Sequence, residues 1–155
     1  MEPVILTWFN KEKGLALKKP EKQKFEVSKG KTIEICLDGL QEDGKICHIV
    51  EIYARRKPLK AGNTNKITKD ILKMIFYEKL VGKKYKKYFI VANSKIKQKF
   101  DRGKSWLAAL CAIFEIGVCA AELTKSEIQK IEKAQTRQGK SQKRISIKKR
   151  GKSKK

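Results

Sequence analysis

Two periods alternate along this chain. Thr32–Leu37 places Ile33, Ile35 and Leu37 on one side and Glu34 and Cys36 on the other, the two-residue period of a half-buried strand. Asp43-Gly44 follows as a hairpin signal, and Ile46–Ala54 reads as the return strand. Apolar residues fall on both of its sides, so it is expected in the middle of a sheet that is covered on both faces. Gly62–Lys79 then switches to helical spacing, with Ile67, Ile71, Met74 and Ile75 on one face. Asn63 or Thr64 is available as its cap and Gly82 as its stop. Tyr88–Ala92 reads as a buried strand, parallel to Ile46–Ala54 across that helical crossover.

The flanking segments are shorter. A helix is expected near Val4–Lys11, closed before Pro20, and a strand at Lys24–Ser28, ended by a turn at Ser28–Lys31. Ser94 can cap a helix to about Phe100, and a second helix runs from about Lys104 to Phe114. Trp106–Phe114 is read as core in preference to interface. Gly117–Leu123 is a last strand, and Thr124 with Glu127 forms a capping box that opens a helix to about Gln135. Together these elements predict an α/β domain over residues 1–138, a mixed sheet flanked by helices. The chain's 155 residues suffice for one such core.

Charge changes the picture. There are 39 Lys and Arg against 16 Asp and Glu, a formal charge of +23. A polyanion is the expected partner, through counterion release and steering. Beyond Gly139 apolar residues nearly vanish, and 139–155 is expected to be a basic tail without fixed structure. Its Lys143, Arg144, Lys148, Lys149 and Arg150, together with Arg55, Arg56, Lys57, Lys60 and Lys66, are the candidate phosphate contacts. No apolar run approaches the roughly 20 residues that span a bilayer, and no basic segment precedes an apolar leader. A cytoplasmic protein with no membrane partner is expected. The cysteines Cys36, Cys47, Cys111 and Cys119 lack C-x-x-C spacing, so free thiols are expected in place of zinc. His48, the single histidine, is expected to pack within its strand.

Glu51 interrupts the central apolar strand, and glutamate is rarely buried unless it is paired or bound to a cation. With Asp43-Gly44 as the centre of a two-residue hairpin, Asp38 faces Ile49 and Glu51 is its diagonal neighbour on the same face. Glu34 then shares that face, opposite Tyr53. Diagonal neighbours lie about 7–8 Å apart at the backbone. Two carboxylates at that separation can share a hard cation with oxygen ligands at about 2.0–2.1 Å. A loop of odd length would put them on opposite faces. Asp38, beside Gly39 at a strand end, also suits a plain solvated acid; Glu51 suits that reading poorly. On the helix, Asn63, Lys66, Asp70 and Lys73 are spaced three, four and three, one polar stripe of the kind that is often only a solvated face.

The order of helix, strand, hairpin acid Asp38, apolar strand with Glu51-Ile52-Tyr53, crossover helix and strand resembles the PD-(D/E)xK nuclease superfamily over about Val4–Ala92. The resemblance implies a restriction-endonuclease-like fold, with Mg2+ or Mn2+ held by Asp38 and Glu51. It implies catalytic roles for Asp38, Glu51, Lys66 and Asn63, since Asn63-Thr64-Asn65-Lys66 looks like a variant of the Gln-x-x-Lys pattern that such proteins carry on the following helix. Leu37 stands where proline is common, and Tyr53 stands where the lysine two residues after the Glu belongs. Tyrosine, with a reference pKa of about 10, supplies no cation at neutral pH. Lys66 or Arg55 then takes that role, or the site is inactive. The expectation is a metal-dependent nucleic-acid phosphodiesterase, an endonuclease, with DNA placed ahead of RNA and a homodimer left open. The alternative is a non-catalytic nucleic-acid-binding protein on the same fold; more distant is a ribosome-associated or chromatin-like protein whose acids are only structural.

Overall fold

The computed structural model describes residues 1–56, 61–134 and 136, and the backbone alone at 61–63. Its elements are α1 (Glu2–Lys13), β1 (Gln23–Ser28), β2 (Lys31–Ile35), β3 (Gly39–Gln41), β4 (Cys47–Tyr53), α2 (Ala61–Val81), β5 (Tyr85–Val91), α3 (Ser94–Asp101), α4 (Trp106–Ile113) and β6 (Ile116–Ala120). A fifth helix, α5, covers 125–134. The main sheet has the order β3-β4-β5-β6, with β3 antiparallel to β4 and with β4, β5 and β6 parallel. This is the mixed sheet with flanking helices that the sequence pattern predicts. No helix among the described residues is long and apolar enough to cross a membrane.

The alternation in β4 assigns the layers. Every residue of β4 is buried, as expected for a central strand. Cys47, Ile49 and Tyr53 belong to a core shared with Ile67, Ile71, Met74 and Tyr77 of α2. Val50 and Ile52 belong to the opposite core, with Ile5, Leu6 and Phe9 of α1 and Ile131 of α5. Ile96 of α3 and Leu107 and Cys111 of α4 pack on the α2 side. Alternate strand residues face opposite sides, so Glu51 points into the α2 layer. Gly82 stops α2 at φ 70, the left-handed conformation that suits a helix C-terminus.

Several local expectations change. The hairpin does not turn on Asp43-Gly44: β3 pairs Gly39 with Val50 and Gln41 with His48, so the register is offset by two residues and residues 42–46 form a wider loop. An offset of two keeps the parity, and the register continued one residue beyond β3 would set Asp38 level with Glu51 in place of diagonal to it. Glu34 leaves that face altogether. The chain bends after Ile35, and β2 pairs with β1 in a separate two-stranded ribbon, where Glu34 lies opposite Lys24 and half-exposed. α2 begins at Ala61, so Asn63 and Thr64 lie inside the helix and neither is its cap. Asn93, not Ser94, caps α3, its side chain accepting from Lys95 N at 2.9 Å. The predicted box at α5 does form: Thr124 N donates to Glu127 Oε2 at 2.8 Å, and Glu127 N donates to Thr124 Oγ1 at 3.3 Å. The four cysteines are free.

Candidate functional site

Glu51 is fully buried, with 0% of its surface exposed. Over it lies the polar stripe of α2, because residues three and four apart share a helix face. Lys73 Nζ sits 2.7 Å from Glu51 Oε2 and 3.9 Å from Asp70 Oδ1, and donates to the Cys36 carbonyl at 2.9 Å. Neither Glu51 oxygen meets hydrogen-bond geometry with any described group. One turn earlier, Lys66 Nζ donates to Asp70 Oδ2 at 2.6 Å and lies 5.9 Å from the centre of the Tyr53 ring.

Asp38 enters from the other side. Its Oδ2 accepts from Ile52 N at 2.9 Å, capping the part of β4 that extends past the start of β3. Three carboxylates and two ammonium groups are thereby gathered at one end of the β4–α2 contact. Burial, and then the charge of Asp38, push Glu51 up to about 9, against the opposing pull of Lys73. Burial works against the charge on Lys66, but the Asp70 hydrogen bond and the nearby carboxylates outweigh it and raise its pKa. Lys66 is therefore a standing cation at neutral pH. Burial also raises the Tyr53 phenol, which stays neutral.

Asp38, Glu51 and Lys66 lie close enough to act on one another electrostatically. Asn63 lies on the same helix, but its side chain is outside the described residues. Arg55 is exposed and neighbours Tyr53. Arg56 is engaged within the fold: its Nη1 donates to the Ala92 carbonyl at 3.2 Å, and its Nε lies 3.5 Å from Glu132. Lys57, Lys60, Lys143, Arg144, Lys148, Lys149 and Arg150 lie outside the described residues. Asp70 and Lys73 are members of the cluster that the expected site omits. Their signal was present in the three-four-three spacing of the helical stripe, but nothing in that spacing says what the stripe faces.

Among the described residues no group of three or more His, Cys, Asp and Glu has an arrangement that would hold a metal ion by itself. Mg2+ keeps several waters and is usually held by one or two carboxylates plus substrate phosphates. Asp38 and Glu51 would be the carboxylates to hold such an ion, at a place where Lys73 Nζ already stands 2.7 Å from Glu51 Oε2. Comparison with protein-family models, curated proteins and solved structures finds no match, and function is therefore read from this chain's own geometry.

Proposed function

We propose that this chain is a metal-dependent nucleic-acid phosphodiesterase, an endonuclease of the PD-(D/E)xK type acting on DNA ahead of RNA in the cytoplasm, whose site ammonium comes from α2. One observation carries the reading. Glu51 is buried in a strand interior with a single ammonium, Lys73, at 2.7 Å, yet the fold also gathers Asp38, Asp70 and Lys66 around it where an apolar residue would be more stable. Asp38 and Glu51 would hold Mg2+ or Mn2+. Bound there, the cation supplies an activated water and neutralises charge that builds on the phosphate. Lys66 keeps its proton and so serves as a phosphate-binding cation, not as a base. Asp70 orients Lys66 and, more weakly, Lys73. Lys73 brings to Glu51 the ammonium that the strand would carry at Tyr53.

The net charge of +23 supplies non-specific affinity for the polyanion. The 139–155 segment is assigned to that task, and removing Lys140–Lys155 should weaken binding to unrelated sequences by similar factors and flatten the salt dependence. An unchanged salt slope would show that the segment does not touch the polyanion.

The decisive assay incubates labelled duplex and single-stranded oligonucleotides with the protein in Mg2+ or Mn2+, against a chelator control and against Glu51→Gln. Cleavage that needs the cation and disappears in Glu51→Gln, with binding in chelator retained, supports the reading. Tyr53 favours one alternative, a nucleic-acid-binding protein on this fold without chemistry. Wild-type protein that never cleaves, and a Glu51→Gln variant that binds equally well, would establish that alternative.

A further inference from the structure

One stretch departs from the chemistry of the rest of the chain. Overall, 35% of residues are charged, but from Ser105 to Ala121 the only charged side chain is Glu115. That stretch forms α4 and β6, joined by Phe114 and Glu115, with Glu115 in the left-handed conformation at φ 53 to turn β6 back against α4. Of its buried residues, Leu107, Cys111 and Ile116 belong to the α2-side core, and Ala108 is buried as well. The opposite face of α4 is apolar and open. Trp106 is 62% exposed, Ile113 is 74% exposed and Phe114 is 39% exposed. Trp106 and Ile113 are seven residues apart, two helical turns, and so lie on one side of the helix with exposed Ala109 between them.

β6 adds a second feature. It pairs with β5 alone among the described residues, and is the end strand of the four-stranded sheet. Natural sheets protect such edges with lysine, proline or a bulge. This chain has 39 Lys and Arg to spend, yet Ile116-Gly117-Val118-Cys119-Ala120 contains none, and no proline. Among the described residues, a strand edge without a partner strand and an exposed apolar helix face therefore occur at the same end of the sheet.

We infer that α4 and the β6 edge form a self-association surface, at which a second copy of this chain docks across a two-fold axis. Charge selects that occupant. Two copies that each carry +23 repel wherever their cations meet, and the 105–121 stretch contributes no cation of its own, with Lys13 and Lys97 the lysines that act on Cys119. An antiparallel strand edge is also self-complementary under a two-fold axis, since each copy offers the donors and acceptors that the other needs. The contact buries Trp106 and Ile113 as central apolar anchors. It does not depend on the phosphodiesterase reading, because it uses none of the residues around Glu51.

The test is sedimentation equilibrium or light scattering on the full chain, free of nucleic acid, over a wide range of concentration and salt. Dimers are expected, and they should tighten as salt rises, because screening weakens the repulsion between the copies. Nucleic-acid binding responds to salt in the opposite sense. Trp106→Lys with Ile113→Lys should weaken self-association by about 100-fold or more, the scale of losing central anchors. Both side chains are exposed, so circular dichroism of the variant should match wild type, and thermal melting should match at concentrations where the wild type is monomeric. Trp106→Phe with Ile113→Val should retain the dimer. A second readout is amide exchange in 116–120, which should slow with protein concentration in the wild type and not in the double lysine variant. A protein that stays monomeric at every concentration and salt overturns the inference, as does a dimer that survives the double lysine variant or one that dissociates as salt rises.

Discussion

Two glutamates face the same core from the two ends of α2, and they meet opposite fates. Glu78, near the C-terminal end, accepts from Lys87 Nζ at 2.7 Å and from Tyr85 N at 2.8 Å. Burial alone would raise its pKa, but these bonds outweigh burial and hold its carboxyl below the usual range. Lys87, 5% exposed, also donates to the Tyr85 carbonyl. That pair is closed: each charge is hydrogen-bonded and the site has no need of a further group. Glu51, at the other end, is buried more deeply, lies among other carboxylates and has one ammonium beside it, without an aligned hydrogen bond. The same helix, the same sheet face and the same residue types therefore produce a closed pair at one end and, at the other, a crowded cluster in which the Lys73–Glu51 contact of 2.7 Å is joined by Asp38, Asp70 and Lys66. The crowded end is the one at which the proposed phosphodiesterase reading places its cation.

The largest expected effect tests the open end. Glu51→Gln keeps size and shape but removes the charge that a cation needs, and cation-dependent cleavage should fall by at least ~100-fold, the scale of removing one preorganised charge from a reacting centre. A gel or fluorescence cleavage assay reads this, and a retained rate would place the cation elsewhere. The same substitution should leave stability unchanged or slightly higher in urea unfolding, because it removes a buried acid without an aligned partner.

Glu78→Gln is the matching change at the closed end. It leaves the buried Lys87 ammonium without its charged partner, at an expected cost of about 1–3 kcal/mol in unfolding free energy. Cleavage by the folded fraction should be unchanged. If Glu78→Gln cost nothing while Glu51→Gln were strongly destabilising, the assignment of the two ends would be reversed.

The two ends also predict opposite pH dependences. Folding lowers the Glu78 pKa, so its contribution is complete above the unfolded value near 4.5 and is lost as pH falls through the lower folded value. Folding raises Glu51 from 4.5 to about 9, so the folded state binds more protons between those values and stability declines as pH rises through that window. His48 adds a smaller slope: burial and then Lys86 lower its pKa, so stability is lost as pH falls through 6.5. Unfolding free energies of wild type and Glu51→Gln across pH should differ in slope between 4.5 and about 9, with the variant flatter. Equal slopes would show that Glu51 does not hold its proton in the folded protein.

The smallest effect concerns Lys66. Lys66→Ala should weaken binding to any sequence by a few-fold and reduce the salt slope by about one unit, the signature of one lost phosphate contact. It should lower cleavage as well, by less than Glu51→Gln. A salt slope that does not move would leave Lys66 as no more than the partner of Asp70.

What the sequence determined by itself was local or periodic. The apolar residues on both sides of β4 required a strand covered on two faces, and helical spacing from Ile67 to Ile75 required the crossover helix. Thr124 and Glu127 specified a cap. These properties depend on neighbours within a few residues, where backbone geometry and side-chain period leave few options. An acid amid the apolar residues of β4 marked Glu51 as the residue that needed an explanation. Tertiary structure decided the partners. The Asp43-Gly44 signal implied a tight turn, but the wider 42–46 loop offset the register by two residues, and Asp38 came to accept from Ile52 N, the residue after Glu51. The bend after Ile35 removed Glu34 from the site by pairing β2 with β1. Lys73 stood in the helical stripe from the start, yet only the docking of α2 on the sheet brought its ammonium to within 2.7 Å of Glu51. A stripe records that residues share a helix face; the packing of that helix against a strand at long range in sequence settles what the face meets.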